Sequence, residues 1–401
     1  MNPQGRVLIA GGGMVGLAFA IALAHETGGT LDIELIEARP LPNGEPNPLD
    51  SRASALNLRS RELLARWGVW SGLADDAAPI RDIHVSNQHR FGSALLAAKD
   101  LDTDALGFVA ENHRIGRALL ARAEDLGVQF RATEAIKELL PPEEGAGLVM
   151  TSGVVEHADL VVLADGGSSG LRESLGIGVD LLEPGQVAVV ANVAFPGQQQ
   201  GIAYERFTGE GPLALLPLTD ESRGRQRFNL VWSMAPEAAD ALANVSDSEF
   251  LKALQSAFGW RLGRAQAVGQ RTVWPLSRRR ACEQSRPGYL IAGNAAHALH
   301  PVAGQGFNLS VRDAASFAAA VAQGLAAGAT PGARSVLRDY ERRVAADQDL
   351  TIGATDTLAT LFNRRSVPLD LPRDMALSCL DLSATLRRGV AALGAGQRRE
   401  S

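Results

Sequence analysis

Two segments at opposite ends of the 401-residue chain have the residue types and spacing to hold a nucleotide cofactor: Gly11-Gly12-Gly13-Met14-Val15-Gly16, and the run from Gly293-Asn294-Ala295-Ala296-His297 to His300-Pro301-Val302-Ala303-Gly304-Gln305-Gly306-Phe307-Asn308. In the first, Gly11 permits a tight turn, Gly13 lets the backbone approach a pyrophosphate, and Gly16 allows a helix to lie close on a strand. The apolar run Arg6–Ala10 and the alanine-rich, proline-free run Val15–Ala24 predict that strand and that helix. Phosphate at the helix start would meet unpaired N–H groups and the positive end of the helix dipole. A second strand over Leu31–Ile36 ends at Glu37, whose carboxylate suits ribose hydroxyls and disfavours a 2′-phosphate. The adenosine is therefore that of FAD or NAD. The late segment, with its small residues, suits the edge of a flavin ring.

A third segment supplies the link. Ala158 to Arg172 reads as a buried strand running into a turn, with Asp165, Gly166, Ser169 and Arg172 in the spacing DGxxSxxR. This resembles the middle fingerprint of the flavin-dependent aromatic hydroxylases, whose fold is that of para-hydroxybenzoate hydroxylase. Tyr289–Ala292 is a further short strand, and Gly293-Asn294 after it stands where that family has Gly-Asp. Asn294 loses the charge but keeps a side chain able to hold a ribityl hydroxyl. The run from His300 to Leu309, with Asp313 following, is similar to the signature of the ubiquinone-biosynthesis hydroxylases, and Ser51-Arg52-Ala53-Ser54-Ala55-Leu56 matches their Arg-Ala-x-Ala-Leu segment. The resemblance spans Arg6 to at least Asp313 and is nearest to the subtype acting on 2-polyprenyl-6-methoxyphenol.

That resemblance implies FAD as cofactor and NADPH or NADH as a transient electron donor, in keeping with the lack of a second GxGxxG after a strand. Reduced flavin would take up O2 as a C4a-hydroperoxide and hydroxylate the ring of a polyprenylated phenol, while the protein excludes water. The residues implied to hold the cofactor are Gly11, Gly13, Gly16, Glu37, Arg52, Asn112, Asp165, Gly166, Arg172, Asn294, Gly304, Gly306, Phe307 and Asn308. Asn112 stands where many relatives carry Arg. A helix from near Gly306 through Val311, Ala314, Phe317 and Val321 would direct its N-terminus at the flavin pyrimidine edge, stabilising charge there on reduction. Catalysis would fall to the loop of His300, Pro301 and Gln305, with Pro301 walling the ring and His300 either moving protons or shaping the loop. Two other readings stay open: a hydroxylase of a small soluble aromatic, and a non-turnover flavoprotein scaffold in a biosynthetic complex.

The elements required are those of an α/β chain. A Rossmann-like FAD-binding domain of the glutathione-reductase type would be assembled from residues 1–74, 103–177 and 275–330, with a mainly antiparallel β-sheet substrate domain from 75–102 and 178–274. Three apolar runs in the insert, Val187–Phe195, Pro212–Leu218 and Phe228–Met234, predict strands whose one face roofs the flavin. Leu215, Pro217 and Trp232 would line an apolar pocket there, or else belong to a plain core. Residues 331–401 form a C-terminal helical region, expected as helices over Ala333–Asp347, Leu350–Phe362 and Met375–Leu393.

Composition narrows the classes. The chain is 46% hydrophobic, enough for a large core, and its 39 basic against 45 acidic residues leave a net charge of −6, no footprint for nucleic acid. Cys282 and Cys379 are solitary, and His297 and His300 have no Cys or carboxylate at a useful interval, so no metal is expected. Two Cys and a start that enters the nucleotide fold directly suggest the cytoplasm. The apolar stripe of Met375–Leu393, followed by Arg398 and Arg399, either packs on its own domain or touches the inner face of the plasma membrane, where a polyprenyl phenol and other ubiquinone-biosynthesis proteins would be met.

Overall fold

The computed structural model describes residues 4–39, 52–88, 92–167, 169–182, 185–198, 200–219, 224–276, 278–299 and 305–363. Strand β1 (Arg6–Ala10) is apolar from Val7 onward and buried, as a central parallel strand must be. It lies in a six-stranded sheet with β2 (Asp32–Glu37) and β8 (Gln129–Ala132) on one side. On the other side are β9 (Leu160–Leu163), β17 (Tyr289–Ile291) and the antiparallel edge β16 (Ser285–Arg286). The register sets Ala10 beside Leu163 and Leu163 beside Ile291. Three parallel neighbours thus end together, and the segments after them emerge at one edge of the sheet. Ligands of open α/β sheets bind outside the carboxyl ends of such strands.

Helix α1 (Met14–Glu26) is buried all round from Gly16 to Ala24, which fits its lack of a polar face. It is packed between the sheet, α3 (Asn112–Asp125) and α7 (Gln305–Ala326). Phe317 of α7 joins Phe19 of α1, at 6.1 Å between ring centroids, to Tyr340 of α8 (Arg334–Asn363), at 5.3 Å. Here the structure corrects the expectation of two helices divided near Leu350. The helix runs on through Gly353, whose cost of about 1 kcal/mol in a helix interior does not by itself end one. The expected helix over Met375–Leu393 lies outside the described residues. No helix among the described residues is long and apolar enough to cross a membrane.

A second layer covers the first. β3 (Ala53–Asn57), followed by α2 (Leu58–Arg66), pairs with β7 (Gly107–Glu111), which also pairs with β4 (Ala78–Ile80). Above these spreads a large sheet built from β5 (Asp82–Asn87), β6 (Ser93–Ala97), β10 (Val187–Pro196), β11 (Ile202–Phe207), β12 (Pro212–Pro217) and β13 (Arg225–Met234). Short strands β14 (Ala267–Val268) and β15 (Thr272–Pro275) pair with β10. All pairings in this sheet are antiparallel except β5 with β11. Its two faces have different covers. Val189, Val193, Leu213, Leu215, Phe228, Leu230 and Trp232 form a core with Phe250, Leu254 and Phe258 of α6 (Asp247–Phe258), beside α5 (Pro236–Asn244). On the other face, Ala203, Leu216 and Leu218 pack on Ala53, Ala55 and Val109 of β3 and β7.

Candidate active site

The first turn is shaped by what its glycines exclude. Gly11 has φ +114°, and a Cβ there would stand 2.5 Å from the Ala164 carbonyl oxygen; one on Gly16 would stand 1.9 Å from the Gly11 oxygen. These two are demanded by the fold itself. Gly13 differs, since a Cβ there would meet nothing within 4 Å among the described residues. It caps α1 without any side-chain hydrogen bond, so among the described residues no side chain caps the leading N–H groups of this buried helix. That is the cradle a pyrophosphate needs.

Glu37 has a dual position. Its Oε2 accepts from the Gly12 N–H at 2.8 Å and its Oε1 from Arg39 N–H at 2.9 Å. The carboxylate thus holds the glycine turn against β2, and with about four acceptor sites it retains capacity for ribose hydroxyls.

The other two turns close on the first. Asp165 Oδ1 accepts from Gly167 N–H at 3.0 Å and its Oδ2 from the Ser169 hydroxyl, curling a loop in which Gly166 has φ +77°. Gly167 packs so tightly that a Cβ would lie 3.1 Å from Ala295 Cα, and one on Gly293 would lie 2.8 Å from Val15 of α1. Asn294, between them, is exposed. Arg172 calls for a correction. It is buried, donates from Nη1 to the Ala295 carbonyl at 3.1 Å and pairs with Glu173. It fastens the second turn to the third and does not face open space.

Helix α7 begins at Gln305, and a Cβ on Gly306 would meet nothing within 4 Å among the described residues. Phe307 packs against the core around α1. Asn308 is 1% exposed; its Oδ1 accepts from Asn57 N–H at 2.9 Å and its Nδ2 donates to the Ala55 carbonyl at 2.7 Å. The side chain expected as a cofactor contact at Asn308 instead latches β3 to α7, while Phe307 is partly buried. His300, Pro301 and Gly304 lie outside the described residues.

Arg52 and Asn112 sit together, since Asn112 N–H donates to the Arg52 carbonyl at 2.7 Å and Asn112 Oδ1 accepts from the Ser54 hydroxyl at 2.7 Å. The Arg52 guanidinium reaches up to the large sheet, 4.5 Å from the ring centre of Trp274. The expected substrate wall is corrected by the same sheet. Leu215 and Trp232 face α5 and α6, and Pro217, beside Phe228, alternates onto that face too. The opposite face, which packs on β3 and β7, carries Glu205, Ala214, Leu216, Val231 and Val190. A cleft lined by Gln198, Tyr204, Gln226 and Arg261 opens on the helix side, away from the turns.

Some polar groups had no local signal in the sequence. His297 Nε2 and Asp313 Oδ2 are 2.7 Å apart and both nearly inaccessible, with Gln348 Nε2 donating to Asp313 at 3.2 Å. Arg227 of β13 pairs with Glu111 of β7 at 2.8 Å, buried between the two layers, and Glu111 is also 3.2 Å from Arg114. On Glu205, burial pushes the carboxyl up to about 7. His297 and Asp313 are sixteen residues apart and Glu111 and Arg227 over a hundred, so only the fold pairs them.

A parallel sheet with three glycine-bearing turns at one edge, an acidic residue ending β2 and an antiparallel roof defines an FAD-binding enzyme fold. Residues 4–349 match the family model described as FAD binding domain. The chain is 32% identical to the ubiquinone hydroxylase UbiL of Rhodospirillum rubrum, over 95% of this chain and 87% of that protein. It is 29% identical to the 3-demethoxyubiquinol 3-hydroxylase of Escherichia coli (strain K12), over 96% and 97%. The solved structure of p-nitrophenol 4-monooxygenase PnpA from Pseudomonas putida DLL-E4 is similar with a TM-score of 0.76 at 20% identity over 100% of each chain, a likeness of fold alone. The chain belongs to the ubiquinone-biosynthesis flavin monooxygenase family, with FAD as its cofactor.

Proposed function

We propose that the chain hydroxylates the aromatic ring of a polyprenylated methoxyphenol or the corresponding quinol, with NAD(P)H and O2 as co-substrates. The observation that carries this reading is the meeting of three turns at one sheet edge, with no described residue within 4 Å of where a Cβ on Gly13 would stand and a largely apolar sheet face above. The relatives named for ubiquinone and demethoxyubiquinol hydroxylation support the substrate class.

Bound FAD, reduced by NAD(P)H, supplies the activation of O2. The chain's own residues bind and enclose it. The α1 N-terminus at Gly13 would take the pyrophosphate, Glu37 the ribose, Asp165 and Asn294 the ribityl chain, and the first turn of α7 at Gln305 and Gly306 the pyrimidine edge. The large sheet excludes water over the ring-binding space. The run Met375–Leu393, apolar with flanking arginines, supports a peripheral membrane contact through which a lipophilic substrate would arrive.

The test is direct. Flavin-loaded protein given NADPH and a short-chain 2-prenyl-6-methoxyphenol should consume NADPH faster than without the phenol and add one oxygen atom, derived from O2, to the ring by mass spectrometry. Stimulation by small soluble aromatics but not by prenylated phenols would overturn the substrate class.

A further inference from the structure

On the side of the large sheet turned to the FAD-binding layer, the pairing register aligns one row of residues across six strands: Val85, Glu205, Ala214, Val231, Val190 and Thr272. None of the six is fully buried, although they lie in the middle of a covered sheet. On the row next to it, Ala203 and Leu216 pack on Ala53, Ala55 and Val109, and on the row beyond, Trp274 lies under Arg52. Among the described residues the FAD-binding layer therefore touches the sheet on both sides of this row, while the row itself stays only partly covered. With strands about 4.8 Å apart, Glu205 to Val190 covers roughly 15 Å, the length of an aromatic ring and the start of an isoprenoid tail.

The row holds one acid. Glu205 has no hydrogen bond or ion pair among the described residues, yet protein surrounds it and water-sized space still reaches it. A carboxyl left without a partner in such surroundings is costly, and it becomes useful when a ligand brings the missing donor. From its place in this row, with Ala214, Val231 and Val190 following it on one side, we infer that Glu205 accepts the hydrogen bond of the substrate's ring hydroxyl, setting the ring over Ala214 with its tail along Val231 and Val190. This rests on the substrate class proposed above. The proton moves along one O–H···O line: the phenol O–H bond breaks, a carboxylic O–H forms, and no electron changes hands. Glu205 holds the proton and leaves the ring oxygen electron-rich.

The surroundings agree in charge. Val85 and Ala214, on the flanking strands, do not titrate; Arg227 on this face is paired with Glu111, and Arg52 is stacked on Trp274. Arg206 and Arg261 belong to the opposite face. With burial alone raising its pKa to about 7, Glu205 passes between neutral and charged forms near neutrality.

Two ligands and one variant test the inference. A hydroxyl donor favours the carboxylate, whereas its O-methyl ether, an acceptor only, favours the neutral acid. Binding to flavin-loaded protein, read by calorimetry, should strengthen for 2-prenyl-6-methoxyphenol by up to about tenfold between pH 6 and pH 8, and weaken for the ether by a similar factor. Glu205→Gln should flatten both slopes while flavin content stays at the wild-type level. Equal slopes for phenol and ether in the wild type, or slopes that persist in Glu205→Gln, would overturn the role of Glu205. If neither compound bound the flavin-loaded wild type, the substrate class would fall and this role with it.

Discussion

Replacing Gly13 by valine separates cofactor binding from folding. A Cβ at Gly13 meets nothing within 4 Å among the described residues, and φ −71° with ψ 177° is ordinary extended backbone for valine. The cost to the apoprotein is a poorer N-cap, about 1 kcal/mol at most, partly offset by a stiffer unfolded chain. For FAD the same side chain occupies the space where phosphate would meet the first N–H groups of α1. Losing two charge-assisted hydrogen bonds at roughly 1.5–3 kcal/mol each corresponds to a fall in affinity of about 10²- to 10⁴-fold. Gly16→Ala is the contrasting variant, because its Cβ would lie 1.9 Å from the Gly11 oxygen and strand and helix must part. Thermal unfolding of the apoproteins and titration with FAD read the two effects separately. Gly13→Val should melt within a few degrees of the wild type and bind FAD weakly; wild-type affinity in this variant, or a melting loss equal to that of Gly16→Ala, would refute the reasoning.

Three other variants probe the surrounding framework. Glu205 ionises near 7 in the fold but within the ordinary carboxylate range when unfolded, so the folded state binds the extra proton and stability falls as pH rises from about 4.5 through 7. Glu205→Gln should remove that slope and unfold in urea with up to about 3 kcal/mol more stability at pH 8; an unchanged slope would count against the raised value. Asn308→Ala strands the Asn57 N–H and the Ala55 carbonyl, and should cost the apoprotein roughly 2–3 kcal/mol in urea unfolding. A pure cofactor contact would leave the apoprotein unchanged. Arg227→Met takes from the buried Glu111 its partner across the layers and should destabilise by about 3 kcal/mol, whereas a loss under 1 kcal/mol would mean the layers do not depend on the pair.

What was legible in the sequence was whatever depends on neighbours along the chain. Strand, turn and helix over Arg6–Glu26 follow from a local apolar run and the places of three glycines. The apolar runs around β10, β12 and β13 gave strands, since alternation is local too. Alternation defines two faces but not which one a distant helix covers. Alternation thus leaves Leu215 and Trp232 open to a pocket or a plain core, and the amphipathic helices α5 and α6, which follow directly in the chain, fold back onto them and make them core. Glycine spacing marked the turns, but not the parts Arg172 and Asn308 play, because their partners Ala295 and Ala55 lie 123 and 253 residues away. Glu205 sits in Tyr204-Glu205-Arg206 with no motif around it, and only strand register shows its row to be otherwise uncharged.

The account stands on one coenzyme bound where three remote turns meet. Absorbance spectroscopy of the purified chain after incubation with FAD and removal of excess tests this most directly. One FAD per chain, lost in Gly13→Val, is the result expected; a wild-type chain that stays folded and colourless would contradict it.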